Sequence, residues 1–172
     1  MVKGRGVRTL FRFPNPVNEV SARLVAGGVV VLALVTVVFD VPWLLVPLAY
    51  GFVARVLAGP TLSPLGQLVT RVVTPRLPAE PKLVAGPPKR FAQGIGAVFS
   101  VSALVLHFAF GQTGAAFVLI GGLIVAATLE SVFGLCLGCK AFALLMKAGV
   151  IPPEVCEACN NIWDRPGLAA SL

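Results

Sequence analysis

Four long apolar stretches, at residues 20–39, 42–57, 91–110 and 114–138, are separated by Pro, Gly and charged residues. Each approaches the roughly 20 residues that an α-helix needs to cross the hydrocarbon core of a bilayer. In lipid every backbone N–H and C=O must be satisfied within the protein, so stretches of this length are expected to span as helices. A water-soluble fold lacks the polar surface it would need: apolar residues make up 57% of the chain and charged residues 12%, against about 25% in soluble domains. The first stretch follows a basic segment, as the apolar part of a secretory signal would. It is long, however, and ends without a small-residue cleavage site, so it reads as a retained helix. The expected fold class is all-α, an integral membrane four-helix bundle made of two helical hairpins. Residues 20–148 form the membrane domain, between a basic arm at 1–19 and a tail at 149–172.

The chain carries 14 Lys and Arg against seven acids, a net charge of +7. Mapped onto the four spans, every one of those cations falls on the same side. Lys3, Arg5, Arg8 and Arg12 precede the first span, Arg71, Arg76, Lys82, Lys89 and Arg90 lie in the central loop, and Lys140, Lys147 and Arg165 follow the fourth. Arg23 and Arg55 sit at span ends that face the same segments. The other side holds two tight turns, at Asp40-Val41-Pro42 and Gly111-Gln112-Thr113. Such a bias marks cytoplasmic segments, so a multi-pass protein of the inner (plasma) membrane is expected, with both termini and the cysteines cytoplasmic. The basic excess then reports topology and contact with the lipid bilayer, and nucleic acid is not an expected partner.

In the central loop, Ser63 reads as a helix cap with Pro64 at the first helical position. Leu65, Leu68, Val69, Val72 and Val73 then share a face, which predicts a short amphipathic helix over 64–74 lying flat at the interface until Pro75 stops it. On the third span Ala92, Gly96 and Ser100 form a small-residue ridge suited to close helix packing.

Glu130 is the one acid inside a span, and a charge there costs a few kcal/mol unless it is paired or protonated. Arg23, Arg55, Arg90 and Gln93 are its candidate partners at similar depth. Two readings stay open for Glu130: a structural salt bridge, or a proton donor and acceptor beside the cysteines. The single histidine, His107, falls near the opposite end of the third span, remote from that cluster.

Chemistry, where this chain has any, runs through sulfur. Cys136-x-x-Cys139 is followed after 16 residues by Cys156-x-x-Cys159, a spacing associated with four-thiolate zinc sites. With the fourth helix continued to Ala148, a reversal at Gly149 and Pro152-Pro153 would let the tail fold back. Cys136, Cys139, Cys156 and Cys159 would then hold Zn2+ or Fe. The competing reading takes the pairs as redox couples. Against it, Cys136 would lie late in a helix, where the dipole disfavours thiolate; Gly134 and Gly138 bracket it and are placed to unwind the local turn.

Pro88-Lys89-Arg90-Phe91-Ala92-Gln93 and Phe133-Gly134-Leu135-Cys136-Leu137-Gly138-Cys139 resemble the signature blocks of DUF4395, a family of small bacterial membrane proteins. Ser63-Pro64-Leu65-Gly66 and Pro75-Arg76-Leu77 fit its connecting loop, and the likeness covers roughly residues 14 to 147. The resemblance implies a four-span protein with one Cys pair and a link to sulfur metabolism, alongside sulfurtransferases and thioredoxin-like proteins. Glu130 stands where an amide is expected in the family, and the tail pair lies beyond the family block.

The expected function is thus a membrane-anchored, cytoplasm-facing thiol redox or sulfur-transfer protein. Cys136, Cys139 and Glu130 are its catalytic candidates, and its partner would be a soluble thioredoxin-like or sulfurtransferase protein. The alternative is a non-enzymatic subunit of a larger membrane complex with a four-Cys metal site. A transporter reading fares worse, because the first two spans supply almost no polar lining.

Overall fold

A computed structural model describes residues 13–78 and 80–156. A two-residue strand, β1 (Val17–Asn18), leads into α1 (Glu19–Val38), and a 3-10 turn at Pro42–Leu44 opens α2 (Leu45–Ala58). α3 (Pro64–Leu68) runs on through a π turn at Val69–Val73 and a 3-10 turn at Thr74–Arg76. After β2 (Leu83–Val84) come α4 (Gly86–Phe108), α5 (Thr113–Phe133), α6 (Leu137–Lys147) and a last turn at Pro153–Cys156. Among the described residues, four helical stretches are long and apolar enough to cross a membrane: Glu19–Val38, Pro42–Arg76, Gly86–Phe108 and Thr113–Phe133. The chain is an all-α, multi-pass membrane protein.

Of the two expected hairpins, the second packs along its length and the first is held apart. α1 packs along α5, α2 along α4, and α4 also lies on α5, while α1 and α2 touch little beyond their turn. What separates them is the segment expected to lie flat at the interface. The chain turns back at Gly59 (φ 62°), and wholly buried Ser63 caps α3 by accepting from Gly66 N at 3.3 Å. Leu65 is driven against Gly28 of α1, where a Cβ would come within 2.7 Å of it. Thr74 then meets Ser21 near the start of α1, hydroxyl to hydroxyl at 3.0 Å. The segment therefore descends inside the bundle as a wedge between α1 and α2. Leu65 and Val69 of its apolar face turn to protein while Leu68 and Val72 stay exposed, and backbone of irregular pitch is tolerated where protein surrounds it.

Close approach elsewhere relies on small residues, as it must where lipid offers helices no hydrophobic drive to associate. Ala33, Ala103 and Ala116 are wholly buried beside Leu45, Leu48 and Ile120. The ridge on α4 is used for packing: Gly96 lies against the Phe52 ring, and Ser100 Oγ donates to Gly96 O at 2.8 Å. Any Cβ at Gly96 would overlap that ring. Gly96→Val should therefore destabilise by about 1–3 kcal/mol, the usual cost of overpacking. Thermal unfolding in detergent checks this, with Gly94→Ala as control, since nothing lies within 4 Å of a Cβ at Gly94. An unchanged midpoint for Gly96→Val would refute the packing role.

The arm is tethered as well. β1 pairs antiparallel with β2, Val17 opposite Val84, and Asn15 Oδ1 accepts from Gly86 N at 3.1 Å. Asn18 caps α1, accepting from Val20 N at 3.0 Å, and Glu19 meets Lys82 at 2.9 Å. Residues 13–18 are thus laced to the start of α4; residues 1–12 of the basic arm fall outside the described residues.

The fourth span was expected to run to 138 and continue through Ala148. Instead α5 stops at Gly134, which takes a left-handed conformation (φ 69°) that only glycine adopts without cost. The N–H groups of Gly134 and Leu135 return to the carbonyls of Glu130 and Leu129, and Arg23 donates to Ser131 O and Val132 O at 3.1 and 2.7 Å. A new helix, α6, begins three residues later at Leu137.

Candidate functional site

That break decides the surroundings of the cysteine pair. Cys136 is the N-cap of α6, in an extended conformation (φ −83°, ψ 104°), and its carbonyl accepts the first bond of the helix from Lys140 N at 3.1 Å. Cys139 follows in the first turn. The dipole argument therefore reverses: Cys136 sits at the positive end of a helix, where thiolate is favoured, rather than near a negative one. Cys136 is buried, Cys139 half-buried, and both are free thiols.

The residues between the cysteines position the turn. Gly138 lies flush on α4, where a Cβ would come within 2.6 Å of Ala92 Cα. One turn further along α6, buried Phe142 stacks edge-on against Phe91 at 5.6 Å. Lys89 lies three residues before Ala92 on α4, so this contact sets the thiols beside its ammonium group. Lys89 Nζ in turn bonds Glu130 Oε1 at 2.7 Å, and their side chains are only 9% and 14% exposed.

The pairing of Glu130 corrects the sequence reading. None of Arg23, Arg55, Arg90 or Gln93 is the partner. Arg23 caps α5, and Arg90 donates to Val56 O at 2.9 Å. Arg55 bonds Gln93 Oε1 at 2.8 Å and Ser63 Oγ at 3.1 Å, over the Phe52 ring at 4.5 Å. Lys89 was missed because Pro87 and Pro88 read as loop. Proline is also favoured in the first turn of a helix, and a helix begun at Gly86 puts Lys89 and Gln93 on one face, four residues apart.

The two thiols are electrically unequal. A hydrogen bond from the Cys139 thiol holds Cys136 below the ordinary thiol range, helped by Lys89 and opposed by burial and Glu130. The same bond, with burial, pushes Cys139 up. One sulfur is thus prepared as a nucleophile while its neighbour keeps its proton.

Cys156 is buried and disulfide-bonded, so it offers no thiolate to a shared metal, and Cys159 lies outside the described residues. Among the described residues no three His, Cys, Asp or Glu side chains come together as a metal site. His107 accompanies Thr113 at the far end of the bundle, with 3.1 Å between Nδ1 and Oγ1.

The sequence model of the family described as Domain of unknown function (DUF4395) matches residues 17–147. No curated protein and no solved structure matches the chain significantly.

Proposed function

The chain belongs to the DUF4395 family, and on that premise we propose that it is a membrane-anchored dithiol–disulfide exchange protein working through Cys136 and Cys139. The observation that carries this reading is Cys136 at the start of α6 with Cys139 one turn on, the arrangement that lowers a thiol pKa in Cys-x-x-Cys sites. The Cys136 thiolate attacks one sulfur of a partner's disulfide, forming a mixed disulfide and releasing the other sulfur as thiolate. Cys139 then gives up its proton and attacks Cys136, closing the Cys136–Cys139 disulfide and releasing the second partner thiol. Lys89 steadies the first thiolate by charge, and Glu130, bonded to Lys89, is the nearby carboxylate for exchanging the Cys139 proton. The bias of Lys and Arg towards this end of the bundle supports a cytoplasmic face of the plasma membrane for it. There a soluble thioredoxin-like or sulfurtransferase protein, or a neighbouring membrane subunit, supplies the disulfide or receives sulfur.

Site-resolved alkylation against pH tests the proposal. In the reduced protein, Cys136 should reach half-alkylation below the ordinary thiol value of about 8.5. Cys139→Ala should move that midpoint upward, because the donor that favours the thiolate is gone, while Cys139→Ser keeps a donor and moves it less. The Ser variant should also accumulate a mixed disulfide with hydroxyethyl disulfide, since nothing resolves it. A Cys136 that titrates at or above the ordinary value, or a Ser variant that traps nothing, would sink the reading.

A further inference from the structure

Cys136 opens onto a cavity of about 410 Å3 that runs into the bundle. Glu130 and Arg55 border the same end, while Phe99 and Gly122 line it further in. Gly122 lies eight residues before Glu130 on α5, about 12 Å deeper at 1.5 Å per residue. Ile95 on α4, Gly122 on α5 and Leu137 on α6 all line the cavity and are exposed, so it opens sideways where acyl chains surround the helices.

Its polar end has an unmet demand. Arg55 is 5% exposed, and its Nη2 is buried without a hydrogen-bond partner, while the nearby carboxylate of Glu130 is taken by Lys89. A buried N–H of a charged group without a hydrogen bond is costly to leave so, and this atom calls for an acceptor. The cavity thus joins the Cys136 thiol, a cationic donor and an apolar channel open to lipid. A matching ligand has a carbonyl-type head, an apolar body and room for two electrons.

We infer that this cavity is a site for a lipid-soluble quinone, which reoxidises the Cys136–Cys139 dithiol from within the membrane. The inference rests on the exchange function proposed above, run in the reverse direction so that a partner's dithiol reduces the Cys136–Cys139 disulfide, and names the acceptor that takes those electrons on. The step balances: the two thiols lose two electrons and two protons and form the disulfide, and the quinone takes up both electrons and both protons and leaves as quinol. Arg55 donates to the quinone oxygen as negative charge builds on it, a role that preorganised donors fill well in water-poor sites.

The test uses the full chain in mild detergent, reduced, freed of reductant and kept from air. One portion is mixed with decylubiquinone and another with hydroxyethyl disulfide, and thiols lost are counted against quinol formed. Expected is one quinol for each Cys136–Cys139 disulfide. Arg55→Met should slow the quinone reaction about tenfold, the worth of one such hydrogen bond. Gly122→Leu should slow it by filling the channel, since a Cβ there makes only ordinary contact with Phe99 at 3.5 Å. Thermal unfolding checks that both variants remain folded. Thiols that stay reduced with quinone but react with the small disulfide overturn the quinone site and leave exchange standing. Thiols inert to both overturn exchange as well. If quinone oxidises the parent and both folded variants equally fast, the cavity is not the place.

Discussion

Lys89→Met should cost about 3–5 kcal/mol of stability, the range found when one partner of a buried ion pair is removed. The loss has little to do with attraction across 2.7 Å. It comes from abandoning the Glu130 carboxylate, 14% exposed, in a bundle whose surroundings offer no water to solvate it. The double variant Lys89→Met/Glu130→Gln removes both charges and should recover most of the stability. It should also restore the reactivity of Cys136, because Glu130→Gln removes the carboxylate that opposes the thiolate, an effect larger than the help Lys89 gives. Thermal unfolding in detergent reads the first effect and the alkylation rate of Cys136 the second. A single Lys89 variant as stable as the parent would mean that the pair is incidental.

Gly138→Val should strike the site by geometry alone. A Cβ at Gly138 would meet the α4 backbone at Ala92, which cannot swing aside as a side-chain tip would. α6 must lift off α4, and the Phe91–Phe142 stack opens with it. Beyond about 1–3 kcal/mol of overpacking, the shift carries Cys136 and Cys139 away from Lys89. The Cys136 alkylation midpoint should therefore rise towards that of an ordinary thiol. Leu137→Ala, at the 47% exposed neighbour, should leave both readouts nearly unchanged. If Gly138→Val kept the parent midpoint, the contact between α6 and α4 would not be what positions the thiols.

The spans were legible in the sequence because lipid permits few alternatives: a long apolar stretch must be a helix, and the starts at Glu19 and Leu45 fall within a few residues of those expected. The Cys136/Cys139 pair was legible as a motif, but its electrostatics were not. They turn on Gly134, one residue whose left-handed conformation converts a helix end into a gap and the next residues into a helix start. Of the two glycines flanking Cys136, Gly134 breaks the chain, while Gly138 stays helical and serves the packing instead. Arg55 was counted as a charge that reports topology; its burial depends on Ser63 and Gln93, brought from elements that only the tertiary fold assembles. The descent of the wedge segment along α1 was not legible for a similar reason. An apolar face on a short helix looks the same whether lipid headgroups or Gly28 wait to receive it.

That wedge also bears on how the protein is made. Since α1 and α2 are held apart by it and find their main neighbours in α5 and α4, the first half of the chain reaches the membrane before either helix has its partner. Assembly must wait for distant parts of the polypeptide, a high-contact-order route that exposes small-residue faces to other helices meanwhile. Quality control during insertion would find its substrate in that interval: two solitary helices, with Arg55 still lacking the glutamine that later shelters it.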